Sequence, residues 1–143
     1  LTLPHELNIN ELKKIDPEGM ETLVYGRIPL MISAQCLKKT STGCDKKSET
    51  LILKDRYNED MPVKNKCTFC YNTIYNAKTF STLSLSRQVM ALRPSVYRIW
   101  FSTEDGTGVE RVIKDYVRAY TYKENVSETV AAHTKGHLKR GVE

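Results

Sequence analysis

The sequence lacks the features that mark membrane and secreted proteins. No apolar run approaches the roughly 20 residues that span a bilayer. The first residues, LTLPHELN, show neither the basic nor the apolar segment of a signal peptide. We therefore expect no membrane partner and a cytoplasmic location. The chain begins at Leu1 rather than Met, which leads us to expect a piece of a longer protein.

The catalytic motifs of several hydrolase classes are missing as well. The chain has three histidines, and it contains neither a G-x-S-x-G nucleophile elbow nor an H-E-x-x-H zinc helix. Gly106-Thr107-Gly108 lacks the further glycine and the lysine of a phosphate loop, and it is more typical of a helix start. The sequence therefore leaves the catalytic residues unknown.

The composition is that of an ordinary globular domain. The chain has 143 residues, which fits one domain able to bury its own core, with 40% hydrophobic and 27% charged residues. Twenty-two Lys+Arg against 17 Asp+Glu give a net charge of +5. This modest excess permits contact with RNA or another acidic ligand without requiring it.

The first third of the chain predicts a strand, a helix and a second strand. Residues 1–7 alternate weakly, and Asn8 or Asn10 can cap a helix over residues 9–15. Residues 20–33 form a β-rich apolar run, broken by Gly26 and Pro29, that is typical of a strand buried on both faces of a parallel sheet.

The rest of the chain predicts a hairpin followed by further alternating elements. ETLILKD and MPVKNK flank the polar RYNED, which indicates a β-hairpin. Residues 84–92 predict a helix and residues 95–103 a strand. Thr107 and Glu110 fit a capping box that opens a helix, whose apolar face comprises Val109, Val112, Ile113, Tyr116, Val117 and Tyr120.

This order of elements predicts an α/β fold with right-handed crossovers. We expect a single domain, or a fragment of one, over residues 1–143. Within it, residues 36–70 form a cysteine-rich insertion and residues 123–143 a C-terminal tail.

The cysteines are few and gathered in one window, at Cys36, Cys44, Cys67 and Cys70, with the spacing C-x7-C-x22-C-x2-C. Disulfides would need an oxidising compartment. Scattered core thiols would have apolar neighbours rather than lysines, which here are Lys38, Lys39, Lys46, Lys47, Lys64 and Lys66. A shared metal site is the favoured hypothesis, because C-x-x-C lets two thiolates reach one ion. Zinc and a 4Fe–4S cluster both accept four thiolates, and the spacing does not separate them.

Four segments together resemble one known family. In order, "LPHELN", "LVYGRIPLMISAQC", "LKDRYNEDMPVKNKCTFCYNTIYN" and "HTKGHLKRGVE" resemble the C-terminal region of the core domain in the collagenase-like peptidases of family U32. The resemblance implies a TIM-barrel-like or partial-barrel α/β fold with a cysteine-bearing β-hairpin insertion. At 143 residues the chain is shorter than the roughly 250 residues of a full barrel.

The resemblance also implies a chemistry. Some members bind a 4Fe–4S cluster through four cysteines, which here would be Cys36, Cys44, Cys67 and Cys70, and support oxygen-independent hydroxylation of tRNA, ribosomal RNA or a quinone precursor. Other members are described as peptidases acting on collagen, with no agreed catalytic residues. The implied partners are RNA or a protein substrate, together with the remainder of a longer chain.

Five further side chains are candidates for substrate binding, because functional groups of α/β barrels lie at the C-terminal ends of strands. Glu6 could act as a base or cap the following helix. Tyr25 and Arg27 lie at the break in the second strand, where Arg27 could clamp a carboxylate or phosphate or form an ordinary ion pair. Arg98 would face solvent or a polar barrel interior. His137 would dock the tail over the site or belong to a frayed terminus.

Three functions therefore remain open. The first is an Fe–S enzyme segment that supports hydroxylation of RNA or a small aromatic compound. The second is a collagenase-like peptidase. The third is a zinc-stabilised module that binds RNA through its lysines.

Overall fold

The computed structural model describes residues 1–140 and shows a mixed α/β fold in two compact units, Leu1–Gly26 with Lys78–Glu143 and Arg27–Ala77. The predicted tail, 123–143, therefore has its last three residues outside the described part. The helices are α1 (Ile9–Leu12), α2 (Leu37–Ser41), α3 (Ser86–Met90) and α4 (Gly106–Tyr120). The strands are β1 (Glu21–Gly26), β2 (Pro29–Ser33), β3 (Thr50–Lys54), β4 (Asp60–Lys66), β5 (Tyr71–Tyr75), β6 (Thr79–Ser81), β7 (Val96–Trp100) and β8 (His133–Thr134). Short 3-10 turns cover Cys67–Phe69 and Leu83–Leu85.

The first unit contains a four-stranded sheet in the order β7-β1-β6-β8. β1 runs parallel to β7 and antiparallel to β6, and β6 runs parallel to β8. A TIM barrel has uniformly parallel strands, and neither sheet closes into a barrel within residues 1–140. The α/β class is therefore confirmed, whereas the predicted barrel stays a prediction.

Helix α4 forms as predicted and buries Val112, Tyr116 and Ala119 in the first unit. Two members of the predicted apolar face, Ile113 and Val117, are instead exposed, by 44 and 39%. Its cap differs from the prediction. Asp105 is the N-cap, and its carboxylate accepts a hydrogen bond from the Gly108 N–H at 2.7 Å. The capping box predicted at Thr107 is therefore wrong, because the helix has already begun at Gly106.

The N-terminal elements are shorter than predicted. The Asn8 side chain caps α1, and the Asn8 N–H donates in return to the Glu11 carboxylate. The helix ends at Leu12, because the Lys14 and Ile15 N–H groups donate to carbonyls three residues back. Residues 1–7 contribute one isolated parallel bridge, at Thr2, in place of a strand.

The apolar run of residues 20–33 divides between the two units. β1 fits the predicted buried strand and pairs in parallel with β7. β2 does not, since it lies at a sheet edge, pairs only with β5 and exposes Leu30, Met31 and Ile32 by 56, 56 and 70%. Arg27 and Ile28 separate the two strands, just before the proline that predicted a break.

The second unit is an antiparallel sheet in the order β2-β5-β4-β3. The predicted hairpin is confirmed as β3 and β4. Its turn is organised by the Asp55 carboxylate, which accepts hydrogen bonds from the Tyr57 and Glu59 N–H groups at 2.8 and 2.9 Å. The predicted cysteine-rich insertion, residues 36–70, lies inside this unit.

The remaining predicted elements also form. β7 lies within the predicted strand 95–103, and the Leu83–Leu85 turn with α3 covers most of the predicted helix 84–92. Among residues 1–140, no helix combines the length and the apolar character needed to cross a bilayer.

Candidate metal centre

The four cysteines of the second unit come from three segments of the chain. Cys36 is the N-cap of α2, and Cys44 lies in the loop after this helix. Cys67 and Cys70 begin and close the 3-10 turn between β4 and β5. All four are free thiols. Cys36 and Cys70 line one open cavity of about 500 Å³, so the two distant halves of the motif share a single space.

The electrostatics of Cys67 link it to the other three thiols. Partial burial raises the pKa of the Cys67 thiol most, and the neighbouring Cys44, Cys36 and Cys70 sulfurs raise it further. Thiols influence one another in this way only at short range. Within residues 1–140, however, no three Cys, His, Asp or Glu side chains are close enough to form a finished metal site. The four thiols therefore belong to the same compact unit without forming a ligating arrangement among the described residues.

Cys36 has the surroundings of a stabilised thiolate. Its Sγ accepts hydrogen bonds from the Lys39 N–H at 3.4 Å and from Asn65 Nδ2 at 3.2 Å. The Lys39 N–H bond lowers the pKa of Cys36 most strongly, and the Asn65 amide and the Lys39 charge act in the same direction. Donors to sulfur orient thiolates and stabilise their charge, as in the outer shell of metal sites.

Two buried asparagines connect Cys36 to the sheet. Asn65 and Asn72 are register partners on β4 and β5 and are 2% and 0% exposed. Asn65 Nδ2 donates to Asn72 Oδ1 at 3.1 Å, and Asn72 Nδ2 donates to the Gln35 carbonyl at 2.6 Å. The segment before α2 is therefore fixed to the two strands that carry the C-x-x-C turn.

An ion-pair cluster holds the loop that carries Cys44. The buried Lys38 ammonium contacts Asp45 Oδ1 at 2.7 Å and Glu49 Oε1 at 2.8 Å, and these bonds raise the pKa of Lys38. Ser48 Oγ accepts from the Cys67 N–H at 3.0 Å. The Lys39 charge lowers the pKa of Cys36, whereas the Lys38 ammonium neutralises carboxylates.

Two of the predicted substrate-binding residues act as structural contacts. Tyr25 is buried in the first unit, where its hydroxyl donates to Glu104 Oε1 at 3.1 Å. Arg27 belongs to the second unit, and its Nη1 donates to the carbonyls of Asn76, at 3.0 Å, and Ala77. Arg27 therefore joins the two ends of that unit.

The other three candidates all lie in the first unit. Glu6 is exposed beside His5, and the helix cap predicted for it is supplied by Asn8. Arg98 takes the solvent-facing alternative, since its half-exposed side chain donates to Glu21 at 2.8 Å and lies over the Trp100 ring. His137 is exposed.

The tail around His137 is docked rather than frayed as far as residue 140. Leu138 is buried, and its carbonyl accepts from the Ile9 N–H at 3.0 Å. β8 adds the tail to the sheet of the first unit by pairing with β6.

The sequence did contain a signal for the supporting asparagines. Asn65 lies two residues before Cys67, and Asn72 lies two residues after Cys70. Positions placed symmetrically about a turn pair across an antiparallel hairpin, so one buried asparagine predicts the other. Lys38 gave no such signal, since its carboxylate partners lie seven and eleven residues away.

No family model matches the chain, and comparisons with curated proteins and with solved structures also found no match. The resemblance to the U32 family therefore stays a prediction.

Proposed function

We propose that the second unit binds an inorganic centre through Cys36, Cys44, Cys67 and Cys70, and that this centre is a 4Fe–4S cluster. The observation that carries the proposal is that Cys36, at the start of α2, and Cys70, at the end of the turn after β4, line the same cavity of about 500 Å³. Burial raises the pKa of Cys67 most, and the other three thiols raise it further. The centre would draw together sulfurs that already share one region, since the loop, the helix cap and the turn are each fixed by hydrogen bonds.

The weak core of the second unit supports the proposal. Apart from proline, its buried residues among those described are three hydrophobic ones, Val63, Ile74 and Tyr75, and three polar ones, Lys38, Asn65 and Asn72. Units of this size rarely fold on so little apolar burial without a disulfide or a metal. Four free thiols around one turn are suited to that stabilising role.

The donor set fits iron at least as well as zinc. Four thiolates satisfy a 4Fe–4S cluster with one cysteine per iron, whereas zinc ribbons usually contain two C-x-x-C knuckles and this chain has one. When bound, the cluster would supply one-electron redox chemistry. The chain's own contribution is to hold Cys36 by two N–H donors and the Cys44 loop by the Lys38 ion pairs.

The wider function follows from the U32 resemblance. It is oxygen-independent hydroxylation of RNA or a small aromatic compound by a longer cytoplasmic enzyme, with this chain as part of a TIM-barrel-like domain. RNA as the substrate is supported by charge, since residues 27–77 contain nine Lys+Arg and five Asp+Glu, a difference of +4. A peptidase is less well supported, because His5 pairs with Glu6 and His133 with the Val130 carbonyl rather than with a nucleophile.

Anaerobic reconstitution with iron and sulfide tests the centre. The full chain should acquire a broad visible absorption band with about four iron atoms per chain, the stoichiometry of the cluster. Cys70→Ser should lose most of the band. Thr68→Ala, in the same turn but without a ligating sulfur, should keep it. A colourless protein after reconstitution would rule out the cluster.

Elemental analysis of the protein purified from cells decides between iron and zinc. Stoichiometric zinc with no iron would favour the zinc-stabilised RNA-binding module. That module also predicts RNA binding that weakens steeply with added salt, because each phosphate contact releases counterions. Release of peptides from gelatin that survives removal of all metal would favour the peptidase.

A further inference from the structure

A cavity in the first unit is lined by positive charge from three separate parts of the chain. It has a volume of about 380 Å³, within the range of small-ligand sites. Lys13 follows α1, Arg87 belongs to α3 and Lys139 to the docked tail, and all three line the cavity. None of the three has a carboxylate partner among residues 1–140, and no Asp or Glu lines the cavity.

The polar lining adds hydrogen-bond donors. Asn8 uses its side-chain oxygen to cap α1, accepting from the Asn10 and Glu11 N–H groups at 2.9 and 3.0 Å. Its Nδ2 group has no partner among the described residues. Asn10 and Gln88 contribute two further amides to the lining. Three cations and several amide donors without a carboxylate match the needs of a phosphate group.

The remaining lining is apolar and firmly held. Ile9, Ala91 and Leu138 line the cavity, and the Ile9 N–H donates to the Leu138 carbonyl at 3.0 Å. Ile9 and Leu138 are 8% and 6% exposed. A ligand that joins a phosphate to a flat, weakly polar group would use both kinds of lining, and a nucleotide has this composition.

We infer that this cavity binds the phosphate of a nucleotide, with Lys13, Arg87 and Lys139 on the phosphate and the Ile9–Leu138 side on the base. The inference does not rest on the cysteines, since every lining residue belongs to the first unit. The phosphate can come from a free mononucleotide or from a strand of RNA, and the two sources share this chemistry.

Titration of the full chain with four probes tests the inference. Adenosine 5′-monophosphate should bind, whereas adenosine, which lacks the phosphate, should bind at least about ten-fold more weakly, given the strength of charged hydrogen bonds. Inorganic phosphate reports the anion site alone. A short single-stranded RNA that binds much more tightly than the mononucleotide would identify a strand as the source. Equal affinity for both would identify the free nucleotide.

Matched charge variants locate the site. Lys13→Gln and Arg87→Gln should each weaken binding of the mononucleotide by about ten-fold. Lys14→Gln removes the same charge from the adjacent residue, which is exposed but does not line the cavity, and should change affinity less than two-fold. Lys13 and Arg87 are exposed, so the variants should fold, and unchanged thermal unfolding curves would verify this.

Two results would overturn the inference. One is the absence of binding to phosphate, mononucleotide and RNA alike. The other is equal weakening by Lys13→Gln and Lys14→Gln, which would indicate diffuse attraction to a positive surface. Neither result bears on the proposed cluster, because metal content and absorption are measured separately.

Discussion

The two units of the chain are stabilised in different ways. The first contains fourteen of the seventeen buried hydrophobic residues among those described, including the fully buried Phe80, Leu12, Val24 and Val89. The second contains three, together with a buried lysine and two buried asparagines. The first unit thus has a conventional apolar core, whereas the second depends on polar contacts around its cysteines. This difference is the reason that the proposed inorganic centre is assigned to the second unit.

Buried polar groups also differ in what they do. In the first unit, Tyr116 and Tyr120 stack with ring centroids 5.8 Å apart, and their hydroxyls bond Ser81 and Thr82 at 2.7 Å. These bonds give the buried hydroxyl groups hydrogen-bond partners within an aromatic core. In the second unit, the Asn65 and Lys38 contacts instead orient the segments that carry Cys36 and Cys44.

Removal of the proposed centre should have the largest effect and should divide the two units most clearly. In the reconstituted protein, the double variant Cys67→Ser, Cys70→Ser should lose hydrogen-exchange protection across β4 and β5 while α4 keeps its protection. Metal binding contributes directly to the folding free energy of small metal-bound units. Mass spectrometry of exchanged peptides measures both regions at once. Equal protection of β4 and β5 in variant and parent would contradict the comparison.

Paired phenylalanine truncations compare a core ring of the first unit with a surface ring of the second. Phe80 in the first unit is 1% exposed, and Phe69 in the second is 76% exposed. Phe80→Ala should lower the free energy of unfolding of the first unit by about 3–5 kcal/mol, because it leaves a cavity. Phe69→Ala should change stability by less than about 0.5 kcal/mol. Urea unfolding measures both, and similar losses for the two variants would contradict the difference in burial between these two rings.

A cap substitution should give a smaller effect, confined to the first unit. Asp105→Ala removes the bond to the Gly108 N–H and should cost about 1 kcal/mol of stability. Thr107→Ala, at the cap position suggested by the sequence, should cost clearly less. Thermal unfolding followed by circular dichroism measures the difference. A larger loss of stability for Thr107→Ala would instead support the capping box predicted at Thr107.

The Lys38 cluster predicts a pH dependence of the second unit, visible only at the extremes. The Lys38 bond lowers the pKa of Asp45, so its stabilisation is complete above the ordinary aspartate pKa and disappears as pH falls through the lowered value. The bonds to Asp45 and Glu49 raise the pKa of Lys38, so its stabilisation is complete below the ordinary lysine pKa and disappears as pH rises through the raised value.

Exchange protection of residues 27–77 should therefore be level across the neutral range and fall at both ends. Lys38→Met should reduce the loss of exchange protection at both low and high pH. Lys66→Met, at an exposed lysine outside the cluster, should leave that loss unchanged. Equal curves for Lys38→Met and the parent protein would show that these ion pairs do not hold the loop.

Local patterns predicted the elements that depend on neighbouring residues. The RYNED turn indicated the β3–β4 hairpin, and the spacing of Val112 and Tyr116 indicated α4, because turn chemistry and helical periodicity are short-range properties. The grouping of the cysteines in residues 36–70 likewise pointed to one shared region of the fold.

Long-range pairing could not be predicted in the same way. Leu30, Met31 and Ile32 are as apolar as the residues of β1, yet they lie in an exposed edge strand, because exposure depends on which strand pairs with which. Asp105 and Thr107 are both acceptable caps, and the choice between them depends on where the chain turns into the helix. Lys38 looks like its neighbouring lysines until the loop returns Asp45 and Glu49 to it.

The backbone at Cys70 has a consequence for directed evolution of this protein. Cys70 has φ +52° and ψ +41°, a left-handed conformation that costs an ordinary residue roughly 1–2 kcal/mol and glycine almost nothing. A library sorted only for thermal tolerance should therefore enrich Cys70→Gly, while a library sorted for retained iron should discard the same variant. Opposite selection at this position would separate the preference of the left-handed backbone for glycine from the requirement for the Cys70 sulfur in holding iron.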